Sequence, residues 1–323
     1  MDDSAHLPFR WRRFRPAQLL FYILVRYTFC GLALLETRAA LALARLIGRL
    51  LFVMDRKHRQ IAERNVRRAE GLPKNAREIR RLVLGVYEHF AMSAVETYLI
   101  PRMIRRREFA RQVERVDWHH MDEALAKGRG AIMACGHLGN WELAGVALSR
   151  SGCPLWSVAR PIENPYMNAF VDGMRKSWGQ KIILQDGAVR GMVDCLKRNS
   201  ILGLLVDQNV RTNGVFVPFL GRPASTIRSP ALLALKYGAP IVPVNIYRDG
   251  RGRHRIVATP PIEIPPDLDR ERAVERITAA LTARIESFVR EHPRQWMWLH
   301  HRWKTKKPRF ARTPSPDPAR IVA

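Results

Sequence analysis

The sequence predicts an α/β protein: a mixed, partly parallel sheet flanked by helices and preceded by apolar N-terminal helices. Three features carry this. Beyond Val113, short apolar runs alternate with amphipathic stretches of about ten residues, the spacing of strands joined by crossover helices. One such run, Gly130-Ala131-Ile132-Met133-Ala134-Cys135, stops at a polar turn, Gly136-His137-Leu138-Gly139-Asn140-Trp141-Glu142. Two apolar stretches, 17–35 and 39–54, open the chain, and arginines interrupt both of them. With 323 residues there is ample length for a core, in one large domain or two small ones. The expected organisation is a membrane-associated helical segment over 1–54, a catalytic domain over 55–310 and a disordered, proline-rich tail over 311–323.

The first fifteen residues end in Arg10, Arg12, Arg13 and Arg15. No small-residue cleavage site follows that would mark a removed signal peptide. The nineteen residues from Ala17 to Leu35 would reach about 28 Å as a helix, just enough to span a bilayer. Their ten Leu, Ile, Phe and Val residues contribute roughly −3 to −6 kcal/mol to insertion. Arg26, near the centre, costs about 2.5–3.5 kcal/mol. The balance leaves three arrangements open: one span, an interfacial helix with its arginines among phosphates, or a helix packed on the domain. Arg56 to Arg81 is helical in character and split by Gly71-Leu72-Pro73; it carries ten Lys or Arg against three Glu. Leu82 to Leu99 follows with apolar residues at helical spacing.

Strands are predicted at Ala131–Cys135, Leu155–Ala159, Lys181–Leu184, Ile201–Val206, Ile241–Ile246 and His254–Ala258. Helices are predicted at Leu143–Arg150, Met167–Trp178, Arg190–Arg198, Pro230–Tyr237 and Glu271–Glu291. In such sheets ligands bind at the carboxyl ends of strands, which directs attention to His137. Residues five apart in one helix point about 140° away from each other. His137 can therefore meet Glu142 only by folding back from the turn onto the helix start. There the imidazole would be a general base and the carboxylate would fix its tautomer, with helix-start N–H groups assisting a developing oxyanion. Leu202-Gly203-Leu204-Leu205-Val206-Asp207-Gln208-Asn209 has the same form, a buried strand ending in polar groups. Asp207 and Gln208 would face the same cleft, or Asp207 would cap a turn. Cys135, two residues before His137, is either a buried core residue or a nucleophile in an acyl-cysteine route.

The His-x4-Glu pattern of His137 and Glu142 resembles the lipid A biosynthesis acyltransferases, lauroyl and myristoyl type, within the glycerolipid acyltransferase superfamily. Further stretches resemble that family in order. They are Arg56–Asn65, Arg160-Pro161 with Asn164-Pro165, Asp207-Gln208-Asn209, Val217–Thr226, Ile241-Val242-Pro243-Val244 and Trp296–Thr305. The likeness covers nearly the whole chain outside the last dozen residues. It implies a bacterial inner-membrane enzyme, its catalytic domain facing the cytoplasm, needing no metal or cofactor. The donor would be a thioester on acyl carrier protein or coenzyme A, and the acceptor a hydroxyl of a phosphorylated glycolipid, most readily a lipid A precursor. His137 and Glu142 would be catalytic. Asn140, Arg160, Asp207, Gln208 and Arg222 would bind substrate, the block around Gly221-Arg222-Pro223 serving the acceptor in the superfamily. Arginine suits phosphate because its fork donates two parallel hydrogen bonds, although each arginine here could equally be a surface charge.

Lys and Arg number 55 against 29 Asp and Glu, a net charge of +26. Such a field favours anionic partners, among them a membrane surface, an acidic carrier protein or nucleic acid. Trp296, Trp298 and Trp303 beside Arg302, Lys304, Lys306 and Lys307 fit ordinary packing, a membrane interface or stacking on nucleobases. Nucleic acid is the least favoured partner. Four scattered cysteines, Cys30, Cys135, Cys153 and Cys195, suggest neither a zinc site nor a disulfide framework. The chain has no G-x-S-x-G elbow, P-loop or G-x-G-x-x-G, which argues against an α/β-hydrolase, a nucleotide-driven enzyme or a dehydrogenase. Two rivals remain: an acyltransferase for another glycolipid such as a mannosylated phosphoinositide, and a non-enzymatic basic protein binding membrane or nucleic acid.

Overall fold

The computed structural model describes residues 15–306 except 108, 151, 251 and 265. The basic residues before Arg15, Lys307 and the tail at 311–323 therefore lie outside the described residues. Two helices open the chain, α1 (Arg15–Leu34) and α2 (Thr37–Met54). Two more follow, α3 (Arg56–Arg68) and α4 (Ala76–Arg105). Asp55 caps α3 by accepting from the His58 N–H, and Asn75 caps α4 by accepting from the Arg77 N–H, so the predicted split at Gly71-Leu72-Pro73 falls between two capped helices. The helix predicted at Leu82–Leu99 is the middle of α4, which continues through Pro101.

α2 lies along α4 at close range. A Cβ on Gly48 would meet the Tyr87 carbonyl oxygen at 2.7 Å, and Arg49 pairs with Glu88 at 2.6 Å. The opposite side of α2 leaves Leu43, Leu46, Leu50, Val53 and Met54 exposed. α1 exposes Leu20, Phe21, Leu24, Tyr27 and Leu34. Its stretch Pro16–Leu34 is long and apolar enough to cross a membrane. The arginine within it does not sit among these side chains: Arg26 stacks on the Phe170 ring at 4.4 Å and near the Tyr98 ring at 5.7 Å.

A seven-stranded sheet follows, in the order β1-β9-β8-β2-β5-β3-β4. Its strands are β1 (Val113–Val116), β2 (Ala131–Cys135), β3 (Leu155–Ala159), β4 (Lys181–Leu184), β5 (Ile201–Leu205), β8 (Ile241–Arg248) and β9 (His254–Ala258). Strands β8, β2, β5, β3 and β4 run parallel, and β9 turns back antiparallel to β8. All six predicted strands form. The connecting helices are α7 (Trp141–Arg150), α8 (Pro165–Ser177), α9 (Ala188–Lys197) and α10 (Ser229–Tyr237), with α11 (Arg270–Glu291) after the sheet. α5 (Phe109–Gln112) and α6 (His119–Ala126) flank β1. The sequence reading missed β1, whose Val-Glu-Arg-Val is too polar to stand out, and the separate hairpin β6 (Val215–Phe219) and β7 (Arg222–Thr226). Two cores result, one containing α3, the sheet and α11, the other gathering α4, α6 and α7 against the sheet.

Candidate active site

Strands β2 and β5 are neighbours in parallel register, with Cys135 beside Leu205. Two residues further on, that register sets His137 beside Asp207. The imidazole Nδ1 lies 2.6 Å from Asp207 Oδ1, and the His137 backbone N–H donates to Oδ2 at 2.7 Å. Because an ionised carboxylate only accepts, Nδ1 carries the proton and Nε2 presents its lone pair as an acceptor. Trp296 Nε1–H is a third donor to the carboxylate, on Oδ2 at 2.6 Å. Burial alone would raise the Asp207 carboxyl. The charge and hydrogen bond of His137, the charge of His300 and the indole N–H outweigh it and hold the group well below the usual carboxylate range.

The turn is built around two glycines. A Cβ on Gly136 would meet Ile285 Cγ2 at 2.9 Å and Asp207 Oδ2 at 3.1 Å, so a side chain there would push the carboxylate away. Gly139 has φ +63°, and a Cβ there would collide with the Ile246 carbonyl. The C-terminal segment clamps the turn from outside. Met297 N–H donates to the His137 carbonyl at 3.0 Å and Gly139 N–H to the Gln295 carbonyl at 3.0 Å. Asn65 on α3 ties that segment down by donating to the Trp298 and His300 carbonyls at 2.9 and 2.7 Å. Trp296 and Trp298 are fully buried. They are packing residues with no face open for nucleobases. Arg302, also fully buried, donates to the Ser225 carbonyl at 2.7 Å and Thr226 Oγ1 at 2.6 Å, and burial lowers it to about 10.

His137 lies on the wall of a cavity of about 680 Å³, a volume that suits a long-chain ligand. Glu142, Arg160, Arg175 and Gln208 supply polar wall; Met133, Leu148, Leu155, Leu204, Val244 and Ile246 supply apolar wall. Gln208 Nε2 approaches His137 Nε2 at 3.2 Å, and the Trp141 ring stands edge-on to the imidazole at 5.2 Å. Cys135 shares the cavity, but burial, reinforced by the Asp207 charge, pushes its thiol up to about 12. It stays protonated and is a poor nucleophile.

Three of the expected site residues are placed differently from the expectation. The carboxylate that orients His137 is Asp207. Glu142 instead forms a two-point ion pair with Arg175, its Oε2 accepting from Nε at 3.0 Å and its Oε1 from Nη2. The physical reason is that α7 starts at Trp141, which leaves Glu142 in its first turn facing α8, while the strand register delivers Asp207 to the imidazole. Asn140 is buried and absent from the cavity wall. Its Oδ1 caps α7 by accepting from the Leu143 N–H at 3.1 Å, and its Nδ2 donates to Ser93 and Glu96. Arg222 is exposed at the tip of the β6–β7 hairpin, also absent from that wall; there Leu220 is held by Glu286 and Glu70. Arg160 and Gln208 line the cavity that holds His137. Arg175 was missed; its only sequence signal is a basic residue in the last turn of α8.

Comparison with known proteins finds acyltransferases. The chain is 32% identical over 217 residues to a phosphatidylinositol mannoside acyltransferase of Mycobacterium tuberculosis (strain CDC 1551 / Oshkosh), covering 64% of this chain and 66% of the relative. The match thus spans just under two thirds of that relative's length. It is 28% identical over 269 residues to the lipid A biosynthesis lauroyltransferase of Escherichia coli (strain K12), covering 80% of this chain and 83% of the relative. It is also 26% identical over 239 residues to the lipid A biosynthesis palmitoleoyltransferase of the same organism, covering 72% and 74%. The model of the family described as bacterial lipid A biosynthesis acyltransferase matches residues 7–305, so the chain belongs to that family.

Proposed function

We propose that the protein transfers a fatty acyl chain from a thioester, carried by acyl carrier protein or coenzyme A, to a hydroxyl of a phosphorylated glycolipid. The observation that carries this reading is the His137–Asp207 pair, its Nε2 unprotonated and turned to Gln208, on the wall of a half-apolar cavity. The acceptor hydroxyl takes the place of the Gln208 amide beside Nε2 and gives its proton to His137. The alkoxide-like oxygen then bonds to the thioester carbonyl carbon. Asp207 balances the imidazolium. When the intermediate collapses, the C–S bond breaks and the departing sulfur takes the proton back from Nε2. The apolar wall houses the chain, while Arg160, an exposed residue of the cavity wall, would take an acceptor phosphate. On this reading Glu142 shapes the wall through Arg175 and does not handle the proton.

For the acceptor we favour a lipid A precursor, because the family likeness extends over residues 7–305. The mannosylated phosphoinositide reading has its own support in the 32% identity to the mycobacterial relative. The enzyme would work at the cytoplasmic face of a bacterial inner membrane, with the exposed apolar sides of α1 and α2 in the lipid and the +26 charge drawing in an anionic surface. The test is transfer of a labelled acyl chain from acyl carrier protein to purified lipid A precursor and to mannosylated phosphoinositide, with products identified by mass spectrometry. Transfer to one lipid, abolished by His137→Ala, is the expected result. A folded His137→Ala variant as active as the parent would end the proposal.

A further inference from the structure

Behind the His137 turn lies a buried charged cluster for which the chemistry above has no use. Glu96 on α4, 3% exposed, accepts a two-point ion pair from Arg248, with Nη2 at 2.7 Å from Oε2 and Nη1 on Oε1. Fully buried His254 puts Nε2 3.2 Å from the same Oε1. The fourth member is Asn140, whose Nδ2 donates to Glu96 Oε2 at 3.2 Å and to the Ser93 carbonyl at 3.1 Å. Its Oδ1 accepts from Thr97 Oγ1 at 3.2 Å and from the Leu143 N–H at 3.1 Å. None of Glu96, Arg248, His254 and Asn140 lines the cavity.

Burying such a cluster is expensive, and well-packed apolar residues would hold α4 against β8 and β9 at least as well. What such a network adds, even with Arg248 Nε and His254 Nδ1 left without partners, is a preferred geometry, because both Glu96 oxygens and both ends of the Asn140 amide are engaged. Here the geometry it fixes is that of the catalytic turn. Asn140 stands between His137 and α7, and α7 carries both Trp141, whose ring abuts the imidazole, and Glu142 on the cavity wall. Arg248 extends the brace: its backbone N–H donates to Gln295 Oε1 at 2.8 Å, its carbonyl accepts from Gln295 Nε2 at 2.8 Å, and the Gln295 carbonyl receives the Gly139 N–H.

We propose that Glu96 is a positioning residue for acyl transfer: acting through Asn140 and braced by Arg248 and His254, it sets the angle at which the His137 imidazole meets the cavity. This rests on the reading of His137 as the base. Three variants test it, each followed by kcat and KM for the acyl thioester, by melting temperature, and by the proton resonance of the His137 Nδ1–H in NMR. Glu96→Gln is expected to lower kcat roughly 10- to 100-fold, to leave KM within about threefold and to shift the imidazole resonance. Thr97→Val removes one hydroxyl from a half-buried position, so it keeps the test alive should Glu96→Gln fail to fold. It is expected to move kcat and the resonance the same way by a smaller factor. Glu96→Asp keeps a carboxylate for Arg248, His254 and the Asn140 amide, and is expected to retain more of the kcat than Glu96→Gln. Variants that lose melting temperature while kcat and the resonance stay put would overturn the proposal, as would a Glu96→Asp variant no better than Glu96→Gln. If His137→Ala is inactive and Glu96→Gln is not impaired, only this inference falls. If His137→Ala is active, the acyl-transfer reading falls with it. The resonance reports on positioning even without turnover.

Discussion

Asp207→Asn separates the structure's account of the site from the sequence motif's. The carboxylate accepts from three N–H donors, two on Oδ2 and the imidazole on Oδ1, all between 2.6 and 2.7 Å. An amide has one oxygen. If that oxygen faces Trp296 and the His137 backbone, the NH2 confronts Nδ1; the ring must move its proton to Nε2, and the base is gone. In the opposite orientation two buried N–H groups lose their partner, at about 1–3 kcal/mol each, so the first arrangement wins. General-base catalysis contributes about 10²–10⁴-fold, or about 2.7–5.4 kcal/mol at 1.36 kcal/mol per tenfold. A wrong-tautomer change of this kind in the serine-protease triad costs about 10⁴ in kcat. Asp207→Asn is therefore expected to lower kcat by about 10³–10⁴-fold with the fold retained. Glu142→Gln, which keeps a neutral partner for Arg175, is expected to lose less than about tenfold, and mainly through KM. Single-turnover transfer of a labelled chain, with kcat followed across pH, makes the comparison. Equal losses in kcat from the two substitutions, or an Asp207→Asn variant within about tenfold of the parent, would refute this reasoning.

Gly139→Ala forces a Cβ into positive-φ backbone against the Ile246 carbonyl. It is expected to cost at least about 1–2 kcal/mol and to lower activity further by displacing His137, seen by thermal melting alongside transfer assays. Cys135→Ser should retain activity within about threefold and leave the enzyme insensitive to thiol reagents at that position, because the thiol is pushed up to about 12 and stays protonated; trapping of an acyl-Cys135 species would contradict this. His89, nine-tenths or more buried, is lowered from 6.5 to about 3, first by burial and then by the Arg248 charge. Its folded pKa lies below its unfolded one, so the unfolded chain takes the proton first. Stability is whole above 6.5 and falls as pH drops toward 3. In melting temperature against pH, His89→Gln should flatten the slope between pH 6.5 and about 5, before carboxylates titrate; an unchanged slope would exclude His89 as a contributor.

The sheet was legible because buried parallel strands must be continuous apolar runs, and Ala131–Cys135, Ile201–Val206 and Ile241–Ile246 leave no other reading. Edge and hairpin strands were not. β1 has one residue in two charged, and β6–β7 carries Pro218, Leu220-Gly221 and Pro223, which read as a loop. His137 and Asp207 were each legible as polar groups at strand ends, but their pairing needs the register of two strands 70 residues apart. Periodicity does not encode register across such a separation. Arg175 and Glu96 were silent for the same reason: each is one charge among many until tertiary packing gives it a partner.

The His-x4-Glu motif therefore joins two jobs at one turn. His137 belongs to the sheet, since its partner Asp207 is set by β2 and β5. Glu142 belongs to the helices, since its partner Arg175 lies on α8, a helix with no buried residue of its own. α8 leans on α1 through the Tyr22–Tyr166 stack, the Arg26–Phe170 contact and the bond from Asn164 Nδ2 to the Gln18 carbonyl at 2.8 Å. A spacing of five residues thus ties an imidazole held by strands to a wall held by a lightly packed helix that also touches α1. If α1 enters lipid, as proposed, the cavity wall and the membrane share one helix. Under that arrangement mutations of Glu142 act on how the chain is received rather than on the proton, which is why kcat and KM must be separated before the motif is assigned a single role.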